Sequence, residues 1–101
     1  MQVPYEYIEK QVVTGGDSSH VFNFVPNYDC TGETLNVDVF KKGINKIKTV
    51  ASGISGGKRY NPIVVTGDFS GISAESDYTL KVVAADGSLK KTVAKGSLII
   101  K

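Results

Sequence analysis

Tyr78-Thr79-Leu80-Lys81-Val82-Val83-Ala84-Ala85, then Asp86-Gly87, then Leu89 through Lys101 is the stretch that sets the fold. The first eight residues alternate as a strand does, with Tyr78, Leu80, Val82 and Ala84 on one face. Asp86-Gly87 is a hairpin signal, because tight two-residue turns need positive φ and glycine supplies it without strain. A second strand over 89–101 is predicted to return antiparallel and close on Leu98-Ile99-Ile100. Its alternation breaks near Ala94-Lys95-Gly96: Leu89 and Val93 share one parity, Leu98 and Ile100 the other. A bulge at Gly96 is the predicted remedy, since one extra residue flips every later side chain.

Working outward, the same period recurs. Leu35-Asn36-Val37-Asp38-Val39-Phe40 alternates cleanly, which predicts Leu35, Val37 and Val39 inward and Asn36 and Asp38 outward. Residues 19–25 put His20, Phe22 and Phe24 on a core face, with His20 at its rim, and Pro26 ends the pairing. Residues 8–14 are a first strand closed by Gly15-Gly16-Asp17. After a turn at Lys42-Gly43, residues 44–50 read as an edge strand whose lysines discourage pairing with other sheets. Residues 52–58 read as a flexible glycine-rich loop and residues 60–66 as a strand starting at an edge, given Pro62. Residues 67–76 form a connection with room for one helical turn. The sum is an all-β fold: a β-sandwich of about seven antiparallel strands over residues 8–101, preceded by an N-terminal arm at 1–7.

The bulk numbers agree. The 101 residues suit one domain, and 41% hydrophobic with 22% charged residues is ordinary globular composition. Cys30 is the single cysteine, so no intrachain disulfide can form and the core must hold the fold. This fits assembly in a reducing cytoplasm. No apolar run reaches the length of a membrane span and no signal pattern opens the chain, so Met1 reads as the start of a complete small gene product. The net charge of +2 is too small to argue for nucleic acid. Its distribution is polar: residues 1–38 sum to −5 and residues 39–101 to +7. Interleaving of the two halves would balance this internally; separation would give acidic and basic patches suited to a repeated array.

Little here points to catalysis. His20 and Cys30, the sole residues of their types, lie on a strand and in a loop with no third group to orient a base. A zinc site needs three or four N/S ligands, and the loop acids lack calcium-loop spacing. Gly53-Ile54-Ser55-Gly56-Gly57-Lys58-Arg59 fails as a phosphate loop on spacing and on the missing Ser/Thr after Lys58. It leaves Lys58 and Arg59 as an electrostatic docking point. Basic residues and aromatics are not interleaved, so no nucleic acid, metal or cofactor is expected. Pro4, Tyr5, Tyr7 and Ile8 are the other candidate partner contacts, because Pro4 keeps the arm extended and the tyrosines offer contact area at low entropic cost.

Asp77-Tyr78-Thr79-Leu80 resembles the tyrosine corner of immunoglobulin-like domains, with Leu80 where the usual cysteine would be. Over about residues 15–101, the segments 16–24, 32–39, 76–82 and 86–100 are similar in layout to the small immunoglobulin-like modules of tailed-bacteriophage virions. These include capsid decoration or auxiliary capsid proteins, head-fibre bases and the N-terminal domains of baseplate upper proteins. Residues 51–61 depart from that layout, being glycine-rich where relatives often have a short strand. The resemblance implies a non-enzymatic structural protein on the outer surface of a phage capsid. It would bind the major capsid protein or other virion proteins in many copies, and be made in the bacterial host cytoplasm. It also implies that Tyr78 is structural, its hydroxyl bonded to a carbonyl within 70–77. Tail, baseplate or head-fibre placement is the alternative in the same setting. A carbohydrate- or host-surface-binding module is the alternative of another class, with Tyr28 and Tyr60 as its stacking candidates.

Overall fold

The computed structural model describes residues 8–42, 44–85 and 92–101. These residues form seven strands: β1 Gln11–Val13, β2 His20–Phe24, β3 Thr34–Lys41, β4 Asn45–Ser55, β5 Ile63–Gly67, β6 Glu75–Ala84 and β7 Ala94–Ile100. A five-stranded sheet runs β1-β7-β6-β3-β4, and β2 pairs with β5 in a second. The run β4-β3-β6-β7 matches the C′-C-F-G order of an immunoglobulin-like sandwich, and β2–β5 its B–E pair. Each pairing is antiparallel except β1 with β7, which is parallel and so departs from the all-antiparallel expectation. Only strands joined by a tight hairpin are forced antiparallel; β1 and β7 sit at opposite ends of the chain and are free of that constraint.

β6 is the spine of the core. Tyr78, Leu80, Val82 and Ala84 are buried, as their alternation predicts. On β3 they stand in register with Leu35, Val37 and Val39, so three cross-strand pairs are buried on both sides. Phe22, Phe24 and Val65 of the small sheet close the other layer, with Phe69 and Ile72 from the connection before β6. His20 sits at the rim, stacked on Phe22 and edge-on to Phe69, and its Nε2 is 2.8 Å from Gln11 Oε1.

The parity change in β7 lies elsewhere than expected. Pairing with β6 runs without a shift from Ala94 through Gly96 to Leu98. Val93 and Ala94 are instead both buried opposite Val82: Ala94 is its register partner, while the Val93 N–H donates to the Val82 carbonyl at 2.8 Å. Two residues facing one is the count of a bulge, so the flip occurs before Gly96. Gly96 serves another purpose. A Cβ there would collide with the carbonyl and Cβ of Ile8, whose N–H donates to the Lys95 carbonyl at 3.0 Å. Ile8 is 4% exposed and belongs to the core, so it is withdrawn from the set of partner contacts.

β4 is the predicted edge strand but longer, taking in residues 52–55 that read as loop. Gly53 adopts φ 67 where the β3–β4 register shifts between Leu35 and Val37, so glycine here serves a bulge inside the strand. Lys48, paired with the buried Val39, reaches across the open flank to the Ser70 carbonyl at 2.8 Å and to Asp68 at 3.4 Å. Asp38 lies on the outer sheet face as expected yet is 4% exposed, because Thr49 donates to it at 2.7 Å and Lys46 lies 3.6 Å away. No helix occurs among the described residues, so the connection before β6 lacks the helical turn allowed for it. The Asp86-Gly87 turn and Leu89 lie outside the described residues.

Two substitutions test this packing. Gly96→Ala should cost about 1–3 kcal/mol or more, since the obstructing atoms include fixed backbone. Tyr78 donates its hydroxyl to the Ser73 carbonyl at 2.9 Å from a buried position. Tyr78→Phe should cost about 0.5–1.5 kcal/mol and Tyr78→Ala about 3–5 kcal/mol, both read from urea denaturation.

Candidate docking surface

Strand direction gathers several connections at one end of the sandwich. β2, β4 and β6 finish there, and β3, β5 and β7 begin there. Residues 25–33, 56–62 and 92–93 therefore converge. The Asn27 N–H donates to the Val93 carbonyl at 3.1 Å, and its side-chain amide to the Thr92 carbonyl at 3.3 Å. Ile8 bonds to Lys95 near the start of β7, so the chain enters the fold close to this end.

The segment after β4 is clasped, which corrects its reading as a flexible connection. The Cys30 N–H donates to the Gly57 carbonyl at 2.9 Å, and the Cys30 thiol donates to the same carbonyl at 3.3 Å. The Gly57 N–H returns a bond to Cys30 Sγ at 3.4 Å. The Gly56 N–H donates to the Glu33 carbonyl at 2.8 Å, and Gly56 must lack a side chain because a Cβ would enter the Cys30 carbonyl. The buried, free Cys30 is thus a backbone partner rather than a reactive thiol. His20 and Cys30 have separate partners and form no pair.

Beyond the clasp, Lys58-Arg59-Tyr60-Asn61 makes a turn closed by the Asn61 N–H on the Lys58 carbonyl at 3.2 Å. Tyr60, its third residue, has φ 67. That is the type II pattern, whose third position ordinarily takes Gly or Asn. The Tyr60 N–H donates to the Pro26 carbonyl at 2.9 Å, tying the turn to the neighbouring connection. Lys58 and Arg59 are exposed, as a docking point requires. The Arg59 guanidinium lies over the Tyr60 ring, 4.5 Å from its centroid. Asp29 is held below the usual carboxylate range, first by the Thr31 hydroxyl at 2.6 Å, then by the Thr31 N–H and by the charge of Lys58. Burial pushes the Tyr28 phenol up, with the Cys30 and Glu33 charges adding to it.

Of the other sequence candidates, Pro4, Tyr5 and Tyr7 lie outside the described residues, and Tyr78 is at the far end of β6. Tyr60 entered the sequence reading as a stacking candidate alone; its conformation and its pairing with Arg59 had no sequence signal. The Cys30 clasp had a faint one, a single small apolar residue in the polar run Asn27 to Glu33. Charges from the two halves partly interleave, with Lys46 on Asp38 and Lys58 beside Asp29. Among the described residues no group of three or more His, Cys, Asp or Glu could hold a metal ion. No protein-family model and no curated protein matches this chain.

Acid should weaken the fold in a defined window. Asp68 is lowered like Asp29, first by the Ser70 hydroxyl and N–H and then by Lys48. Folded-state values below the unfolded ones mean the unfolded chain takes up protons first as pH falls. The stabilisation is complete above the unfolded carboxylate range and is lost as pH drops through the lower folded values. Melting temperature should fall across that window, and Asp68→Asn should flatten the fall; an unchanged profile would show that these pairs do not contribute.

Proposed function

We propose that this domain is a non-enzymatic docking module that attaches to a larger assembly through the loop end of its sandwich. Following the resemblance of its sequence layout, the assembly is a tailed-phage virion and the domain an auxiliary or decoration protein on the capsid surface. The observation that carries the docking reading is the clasped, exposed Lys58-Arg59-Tyr60 turn at the end where the chain enters. A rigid two-sheet frame presenting loops at one end is a common basis for recognition. Arg and Tyr are also the residue types in which interface energy concentrates. The arm, with Pro4, Tyr5 and Tyr7, precedes Ile8 and is the second attachment element of this proposal. A glycan-binding role is less favoured, because Arg59 occupies a face of the Tyr60 ring on which a sugar would stack.

Occupancy on purified particles, measured at low and raised salt, tests this reading. If the arm dominates, deleting residues 1–7 abolishes attachment and salt has a modest effect. If the loop dominates, Arg59→Glu reduces occupancy at least about tenfold and raised salt strips the wild type, as expected for charge-steered contacts. Attachment that resists deletion, charge reversal and salt alike would contradict a loop-end interface. Wild type absent from every particle would contradict the virion assignment.

A further inference from the structure

We propose that Arg59 and Tyr60 form a preformed receptor for a single carboxylate, an Asp or Glu side chain on the surface of a protein partner. The inference rests on the docking reading above and names the chemistry of the partner at that site.

The starting point is a local rule that the turn breaks. Tyr60 holds φ 67 where Gly or Asn is ordinarily required, and a bulky residue there is a steric outlier. Lys42 also has positive φ, at 54, but it follows β3 directly in the turn to β4, and tight hairpins demand such angles. Tyr60 lies in a connection between the two sheets, where no hairpin twist imposes the angle and only the type II turn itself does. Nor is its ring a core element, since Tyr60 is 39% exposed. The strain persists because the surroundings over-determine it: the Tyr60 N–H is fixed to Pro26, Asn61 closes the turn on Lys58, and Gly57 is held by Cys30. Strain of this kind gathers at ligand-binding positions.

What the strained turn achieves is the placing of a guanidinium. Arg59 rests over the Tyr60 ring at 4.5 Å, so a long side chain that would otherwise sample many rotamers is pre-ordered. Among the described residues no carboxylate pairs with Arg59, whereas the charge of Lys58 acts on Asp29. Among the described residues the site thus offers a guanidinium with no carboxylate partner beside an aromatic surface. One negative charge on a partly apolar side chain complements it. A doubly charged phosphate, a sulfated sugar or a nucleic-acid backbone would bring excess negative charge to a turn whose Lys58 already acts on Asp29.

The test uses the full chain, isotope-labelled, titrated with a short end-capped peptide carrying a single Glu, with inorganic phosphate and with a sulfated oligosaccharide. The peptide should shift the amides of residues 58–61 most strongly. Arg59→Lys keeps the charge but loses the planar stack, and should weaken peptide binding about tenfold. Tyr60→Asn should weaken it similarly while leaving the melting temperature unchanged or raised by a few degrees, because Asn tolerates positive φ. Equal affinity in Arg59→Lys, or stronger shifts with phosphate or the sulfated sugar, would overturn the proposal. So would a Tyr60→Asn variant that melts earlier yet binds as well as wild type. Peptide binding with no particle attachment would refute the virion assignment and leave this receptor standing.

Discussion

Everything in this domain is referred to the buried face of β6. Tyr78, Leu80, Val82 and Ala84 oppose Val39, Val37 and Leu35 on one side, and Leu98 and Ala94 on the other. A one-residue slip on either side would turn a row of core side chains into water, so register is tightly specified. Immunoglobulin-like domains often pin their sheets with a disulfide. Here Leu80 stands at that position and Cys30 is free, so packing carries the load. For a chain of this size the net stability that results is on the order of 5–10 kcal/mol. Local devices worth one or two kcal/mol therefore matter, and the Tyr78 bond to Ser73 and the Ile8–Gly96 contact are two of them.

The open flanks are managed unequally. β4 carries Lys46 and Lys48 on an exposed edge, and Lys48 sits on the core-facing side, bridging to Ser70 and Asp68 of the connection after β5. An inward lysine is a poor template for an added strand, and here it also ties the two sheets together. The Asp68 N–H donates to the Val50 carbonyl at 2.8 Å, which further covers that edge. β2 and β5 carry no Lys, Arg, Asp or Glu, and Val21 and Val64 are 61% and 69% exposed on their outer face.

How far the sequence could be read follows from which interactions are periodic. The alternation in β2, β3 and β6 named their core faces, because a strand half-buried in a sandwich leaves a period of two in its sequence. The edge position of β4 was legible from its lysines, but its length was not, since Gly53 reads as loop unless the bulge is known. The facing change in β7 was anticipated but misplaced: Gly96 looked like the irregular residue, whereas its role is to admit Ile8. That contact joins residues far apart in the chain, and so did the parallel docking of β1. At the candidate site, Lys58 and Arg59 were visible as charge beside glycines. The Cys30–Gly57 clasp and the positive φ of Tyr60 were not, because both are fixed by hydrogen bonds to the connection before β3.

The link from fold to function is that this clasp turns a glycine-rich connection into a fixed display. Gly56 is usually read as freedom; here its missing side chain allows close approach to the Cys30 carbonyl, and the result is restraint. Arg59 and Tyr60 inherit their positions from it. Native-state hydrogen exchange tests this most directly, since protected amides report the opening of the bonds they make. The amides of Cys30, Gly56 and Tyr60 should exchange slowly and together, with protection approaching that of the edge strand β4. Exchange at the rate of an unstructured peptide for all three, with β3 and β6 still protected, would show that the turn is loose and that the display does not exist.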